Sequence, residues 1–308
     1  MRRNKAESVN ENEVKFGIKA KLLSIIVTTV SIAVVTILFL TFNSSEKIIV
    51  DYGSKIVAAE SATSASRVET WGQGVLSYLN EVQNTLNTVS FDATSELAYL
   101  TTSVNKNASY PNGIYIGENT GKYIDPSGWE PDADYVVTER AWYQEGLDNK
   151  TFTFGEAYLD ELSGEYIVSA TTRLESESGV ARVASMDITL TEVSNMIGAF
   201  ELMETGAAML IDTKTNTIIA HSDPKFISTI ISTDSEQPLF RSIIEKIASA
   251  QTDTFETKSD ADTYLVNLQT IANTSWVLAS YVPRSEVLSQ LNGLRQAIIL
   301  IALRFDFS

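Results

Sequence analysis

From Leu22 to Phe42 the chain reads LLSIIVTTVSIAVVTILFLTF, 21 residues without a charge. At about 1.5 Å per residue, a helix of that length spans roughly 30 Å, the thickness of a bilayer core. A basic stretch precedes the run, as it would in a cleaved signal peptide. The run is longer than the apolar region of such a peptide, and no clear small-x-small cleavage site comes after it. It is therefore read as a retained transmembrane helix. Six basic and three acidic side chains lie in residues 1–21, so the positive-inside rule leaves the N-terminus in the cytoplasm and exports the chain beyond the helix.

The exported part is strongly acidic. Residues 43–294 hold 35 acidic and 15 basic side chains, against a net charge of −16 for all 308 residues. Such a charge excludes a nucleic-acid binder, which needs a basic face. The absence of cysteine excludes thiolate metal sites, disulfide frameworks and a cysteine nucleophile, and suits a bacterial periplasm. One histidine, His221, leaves little room for a His-rich metal site or a Ser-His-Asp enzyme. No cofactor is expected. Ala297–Leu303 is a second apolar run, only seven residues long. It reads either as a short amphipathic helix or, preferably, as the truncated start of a second transmembrane helix.

Between the two runs the hydrophobic period changes. Val68, Trp71, Val75, Leu79, Val82, Leu86 and Val89 step by three and four, which predicts one face of a long helix over 43–104. That face packs either on the domain's own core or on a partner helix. From about Ala108 the pattern becomes short strands separated by turns: 113–117, 122–124, 152–159, 165–172 and 180–188, then a short helix from Thr191 with Thr191 as its cap. A second set lies at 207–211, 217–220, 262–270 and 275–281. The two sets align at an offset of about 95 residues, EYIVSATT at 165–172 with TYLVNLQT at 263–270. The fold class is thus α/β (α+β): a long N-terminal helix followed by two lobes. The expected boundaries are a leader at 1–21, a membrane helix at 22–42, the long helix at 43–104, a membrane-distal lobe at 105–190, a membrane-proximal lobe at 191–283, and a return helix at 284–308.

This order of parts resembles the double-Cache sensory domain of bacterial methyl-accepting chemotaxis proteins, with its two PAS-like lobes. Sensor histidine kinases and cyclic-dinucleotide enzymes carry the same module, and both stand as alternatives. A membrane-anchored hydrolase using paired carboxylates is a more distant one.

The sharpest local pattern is Tyr135-x4-Arg140-x-Trp142-Tyr143, then Tyr158-x-Asp160, then Asp187. A free amino acid presents a carboxylate and an ammonium. A guanidinium suits the first, because it binds carboxylate bidentately. Carboxylates and aromatic faces suit the second. The indole N–H of Trp142 can donate to the carboxylate while its ring excludes water. An arginine stacked on surface aromatics beside an acid would give the same short Arg-x-Trp-Tyr pattern. Tyr135, Arg140, Trp142, Tyr143, Asp160 and Asp187 nevertheless match, in type and spacing, the amino-acid-recognition motif of the double-Cache family. The resemblance implies that Arg140, Trp142 and Tyr135 hold the ligand carboxylate, and that the later tyrosine of that set, Tyr143, with Asp160 and Asp187 holds its amine. It also implies an L-amino acid as ligand, a homodimer in the bacterial inner membrane, and cytoplasmic signalling partners reached only through sequence beyond residue 308.

Other clusters are read as structural. His221-Ser222-Asp223 holds the residue types of a triad, but neighbours in sequence cannot form the relay. Asp212–Asn216 superficially matches a calcium loop, but Lys214 occupies a ligand position and the required glycine is missing, so it reads as a hairpin turn. Asp132/Asp134 and Asp260/Asp262 read as solvated turns.

Overall fold

The structure, a computed structural model, describes residues 17–160, 166–176, 179–250, 253–259, 262–291, 293 and 296. Asp51–Val287 forms one compact unit; the flanking residues, through Val50 and from Leu288, form another.

The first helix, α1, runs from Ile18 to Thr88. Its apolar segment is long enough to cross a membrane, and none of that segment is buried in the protein. Of the six hydroxyls in the apolar run, three donate back to a carbonyl one turn earlier: Thr29 to Ile25 (2.8 Å), Ser31 to Val27 (2.8 Å) and Thr36 to Ile32 (2.7 Å). A helix that satisfies its own polar groups is what a hydrocarbon solvent requires.

Within Asp51–Val287, α1 buries Gly53, Val57, Ser61, Ala65, Val68, Gly72, Val75, Leu79, Val82 and Leu86. The expected stripe is therefore real, and it extends four turns upstream of Val68. It packs on the chain's own core. Gln83 is the polar key of that seam: its amide donates to Lys150 O (2.9 Å), Thr172 Oγ1 (2.8 Å) and Arg173 O (3.2 Å). Trp71 lies half-buried at the seam's edge, its ring stacked on Phe154 with centroids 6.3 Å apart. Val89 falls outside the helix and is 48% exposed. The helical stretch expected over 43–104 is two helices, because Asp92 caps a new one, α2 (Ala93–Thr101), in a reciprocal box with Ser95.

Two five-stranded antiparallel sheets come next. The first comprises β1 (Ile114–Glu118), β2 (Tyr123–Ile124), β3 (Thr153–Leu159), β4 (Tyr166–Leu174) and β5 (Arg182–Thr189), in the order β2-β1-β5-β4-β3. The second comprises β6 (Ala207–Asp212), β7 (Thr217–His221), β8 (Phe255–Ser259), β9 (Asp262–Thr270) and β10 (Trp276–Pro283), in the order β7-β6-β10-β9-β8. The internal repeat is thus a repeat of topology. All ladders are antiparallel, so α+β is the half of the expected class that applies.

The first sheet carries α1 on one face and α3 (Ala141–Asp148) on the other. Adjacent residues of β4 show the alternation: Thr172 meets Gln83 of α1, whereas Thr171 accepts from Asn149 at the end of α3 (3.0 Å). The short helix after β5, α4, spans Thr191–Gly198; Leu190 occupies the cap position, so Thr191 is not the cap. In the second lobe α5 (Pro238–Ala248) buries Leu239, Phe240, Ile243 and Ile244 against the sheet. Sequence reading misses α5 and β8. Proline at its first position pre-shapes α5 without a side-chain cap, and FETKS in β8 is an edge strand with no buried residue. Asp262 opens β9 and accepts from the Ser285 hydroxyl, so it is not a solvated turn. Asp260 lies outside the described residues. After β10 come α6 (Arg284–Val287) and a 3-10 turn, Ser289–Leu291; the expected second apolar run lies outside the described residues.

The seam yields a stability test. Leu79, with 0% exposure, should cost about 2–5 kcal/mol when cut to alanine, whereas Val89→Ala should change stability by less than about 0.5 kcal/mol. Urea unfolding followed by tryptophan fluorescence reads both; equal effects would contradict this seam.

Candidate functional site

The seven residues singled out by sequence all lie in the first lobe. Arg140 is the cap residue of α3, with extended backbone, and Trp142 and Tyr143 lie in its first turn. A 3-10 turn at Val137–Glu139 leads into it from Tyr135. The turn and helix sit tightly on β1 because of Gly117, where a Cβ would overlap Val137 and the Trp142 ring. Tyr158 is near the end of β3, Asp160 just beyond it, and Asp187 within β5.

Arg140 lies exposed with its guanidinium 5.0 Å from the centre of the Tyr135 ring, within cation–π range. The Trp142 indole N–H donates to the Tyr135 hydroxyl at 3.4 Å, a long bond. Asp187 accepts from the Tyr115 hydroxyl (2.9 Å) and from Ser169 Oγ (2.6 Å). Ser169 also pairs with the Tyr158 hydroxyl at 3.1 Å, and Ser185 donates to the Tyr115 hydroxyl at 2.9 Å. Tyr115 joins the two sides, since its ring stands edge-on to Trp142 with centroids 4.9 Å apart.

Tyr143 is placed differently from the rest. It is 2% exposed, its ring lies edge-on to Trp142 at 5.8 Å, and its hydroxyl donates to the Ala181 carbonyl at 3.1 Å. Its polar group is committed to the backbone, so it backs the indole.

Sequence reading misses part of the cluster. Tyr123 packs on Tyr115 (5.7 Å) and Tyr135 (5.6 Å), and Trp129 stands edge-on to both Tyr123 and Tyr135. Asp125 accepts from the Tyr123 hydroxyl at 3.0 Å. Tyr115 carried one usable signal, a polar tip between Ile114 and Ile116, whereas Ser169 carried none, because its strand also holds Thr171, Thr172 and Arg173.

The electrostatics reflect burial. Burial pushes the Asp187 carboxyl above its ordinary range, two hydrogen bonds pull it back, and Asp160 and Asp125 push it further up. Burial also raises the Tyr115, Tyr123 and Tyr158 phenols, which stay protonated donors at neutral pH. The arrangement sets one guanidinium and an indole N–H on one side and buried carboxylate on the other, with aromatic rings between. It can hold a molecule carrying both charges; among the described residues no activated nucleophile faces it.

The remaining candidates do not form sites. Burial draws His221 down to about 4; its Nδ1 accepts from the Asp223 amide (2.7 Å), and its Nε2 meets the Tyr281 hydroxyl (3.0 Å). Ser222 bonds to the Ile197 and Ala208 carbonyls, so no relay forms. Asp212–Asn216 closes the β6–β7 hairpin, with Asn216 at φ +55°. Among the described residues no group of three or more acids and histidines suits a metal ion. A shallow groove of about 770 Å³ between α1 and α4 includes Arg67, Trp71 and Glu192, but Glu192 already accepts from Trp71 Nε1 (3.0 Å) and Ser109 (2.9 Å).

Comparison with known proteins gives a consistent result. The sequence profile of the Cache domain, in its double form, matches residues 43–291. The methyl-accepting chemotaxis protein PscA of Pseudomonas syringae pv. tomato is 25% identical over 186 residues, which is 60% of this chain and 28% of PscA. The chain thus spans under a third of the length of the curated relatives it matches. Among solved structures, the ligand-binding domain of the Pseudomonas aeruginosa amino acid chemoreceptor PctC, in complex with GABA, superposes with a TM-score of 0.60 at 16% identity. The superposition covers 74% of this chain and 99% of that one. The ligand-binding domain of the Pseudomonas fluorescens chemoreceptor CtaA, in complex with L-isoleucine, also gives 0.60, at 18% identity, covering 80% and 99%. The curated relatives are named as chemotaxis proteins and the solved neighbours as chemoreceptor domains, none as an enzyme. On the strength of the profile match over 43–291, this chain belongs to the double-Cache family of sensory domains.

Proposed function

We propose that this chain is the sensing region of a chemotaxis receptor and that its first lobe, residues 105–190, binds a free L-amino acid. Arg140, the Trp142 indole N–H and the Tyr135 hydroxyl take the carboxylate. Asp187, Asp160 and the Tyr158 hydroxyl take the ammonium, and Tyr143 supports Trp142 from behind. The long Trp142–Tyr135 bond gives way to the ligand carboxylate, and the charge on buried Asp187 gains a partner.

One observation carries this reading. The second lobe has the same strand order and pairing, yet the positions matching Tyr115, Ser169, Ser185 and Asp187 hold Met209, Val266, Ala279 and Tyr281. Those four side chains belong to an apolar core covered by α5. Of the four matched positions, only the first lobe's include a carboxylate. The ligands named with the two solved neighbours, GABA and L-isoleucine, each carry an ammonium and a carboxylate.

In this reading the N-terminus lies in the cytoplasm of a bacterium, α1 crosses the inner membrane, and the lobes lie in the periplasm, 105–190 distal and 191–283 proximal. The receptor works as a homodimer, with its output in sequence beyond this segment. Binding draws the Arg140 and Asp160/Asp187 sides together, and the difference in affinity between open and closed states biases the helices that lead to the membrane.

Titration calorimetry of the detergent-solubilised chain against the twenty L-amino acids and GABA tests the proposal. At least one should give saturable heat, and silence from all would sink it. Arg140→Ala should weaken that binding by about 30-fold or more, since removing one partner of a desolvated charge pair costs about 2–5 kcal/mol. Tyr143→Phe should leave affinity within about twofold while losing about 1 kcal/mol of stability, as the Ala181 carbonyl loses its donor.

Asp187→Asn separates binding from stability. A folded-state pKa raised by burial means that ionised Asp187 costs stability at neutral pH, and that the cost fades as pH falls through that raised value. The variant should lose amino-acid binding yet unfold at an equal or higher temperature than the parent at pH 7. Its advantage should shrink in acid. A variant that unfolds below the parent at pH 7, or whose difference from the parent stays the same in acid, would contradict this account.

A further inference from the structure

The hairpin acid Asp212 is buried with 0% exposure at the end of β6, and a turn alone does not explain it. Its Oδ1 accepts from the Lys214 amide (3.0 Å) and the Ser275 hydroxyl (2.7 Å), both in its own lobe. Its Oδ2 crosses to the other lobe and accepts the Ala157 amide of β3 at 3.1 Å. A buried carboxylate is costly unless its lone pairs are used, and this one spends an oxygen on the neighbouring lobe.

Ala157 is no ordinary strand residue. The β3–β4 register slips between Phe154 and Ala157, so Gly155 and Glu156 form a bulge. Two amides here go to carboxylates: that of Ala157 to Asp212, and that of Glu156 to Glu145 of α3. Gly155 admits Glu145, since a Cβ there would overlap that carboxylate and come within 3.3 Å of the Ser169 carbonyl. Lys214, two residues past Asp212, acts electrostatically on Glu145. Beside the bulge, Phe154 stacks on Trp276 of β10 with centroids 5.5 Å apart.

Both walls of the proposed pocket converge on this bulge. Glu145 lies three residues after Trp142 on α3, one helical turn along. Tyr158 and Asp160 lie one and three residues after Ala157. We infer that Asp212 is a positioning residue that couples the amino-acid pocket to the second lobe, by fixing the β3 bulge to the β6–β7 hairpin and Ser275. The inference rests on the pocket proposed above. When the pocket closes, the end of β3 and α3 shift against the bulge, and the Asp212 bond carries that shift into β6 and β10.

Amide hydrogen exchange on the whole chain tests this in two arms. The first needs no ligand. Asp187→Asn perturbs the pocket, and should change exchange across 207–212 and 276–283 by about twofold or more. In an Asp212→Ala background the same substitution should leave those segments unchanged, a non-additivity that a merely local role for Asp212 does not produce. Asp212→Asn keeps the acceptor for Lys214 and Ser275 and loses only the crossing bond, so it serves if the alanine variant does not fold. In the second arm, the amino acid with the largest calorimetric heat should alter exchange in 207–212 and 276–283 of the parent chain. Asp212→Asn should bind it within about fivefold and show no such change. Persistence of the response in either Asp212 background, or its absence from the parent, overturns the coupling. If no amino acid binds the parent, the function reading fails, and the first arm still decides this one.

Discussion

Antiparallel pairing fixes which side chains share a sheet face, and both lobes of this chain rest on the same pairing. Tyr115 lies opposite Ser185, and Ser169 opposite Asp187; in the second lobe Met209 lies opposite Ala279, and Val266 opposite Tyr281. With a period of two, a residue in either set cannot change faces without a register slip that would expose the core. One backbone plan therefore gives two outcomes. Four polar tips line the face proposed to take a charged guest, and their counterparts Met209, Val266, Ala279 and Tyr281 close into a core beneath α5. What differs between a proposed sensor and its scaffold is a few side chains at fixed addresses.

The polar face is held together without making it comfortable. Asp187 has two hydroxyl donors, which lower the cost of its charge but do not remove it, and further acids nearby raise that cost again. Tyr115, which supplies one of those donors, is buried, Tyr158 beside the other is partly exposed, and both phenols stay protonated. Their rings also form the wall against Trp142, so hydrogen bonding and packing depend on the same residues. Arg140 stays out in solvent against Tyr135, open to a carboxylate at little desolvation cost. In the proposed binding mode, a ligand with both charges relieves the buried acid and engages the exposed base at once. That is a larger difference between empty and filled states than a neutral pocket would give.

The seam between α1 and the first sheet explains why a helix with so little intrinsic stopping information ends where it does. Neither end of α1 carries a charge that opposes its dipole. Burial from Gly53 to Leu86 holds it, and the competing cap at Asp92 starts the next helix. The stripe was legible because helical period and burial agree over many turns. Its end was not, because Val89 continues the spacing while the sheet it would have packed on has ended. The strands were legible wherever an apolar face was present. Helix α5 and strand β8 were not: one lacks a side-chain cap, the other lacks an apolar face.

Residue types and spacing determined by themselves the apolar run at 22–42, the sign of the flanking charge, the repeat at about 95 residues, and the seven candidate positions from Tyr135 to Asp187. These are properties of neighbours along the chain, and hydropathy, charge and period express them directly. Tertiary structure alone decided that Tyr143 turns its hydroxyl to the Ala181 backbone, that Tyr115 and Ser169 are the groups holding Asp187, and that Asp212 reaches across to Ala157. Those bonds join residues 38, 72, 18 and 55 positions apart, respectively. Strand register and local slips in it, at Phe154/Ala157 and at Leu210/Ile211, bring them together, and no local pattern in the sequence encodes where a ladder will slip by one residue.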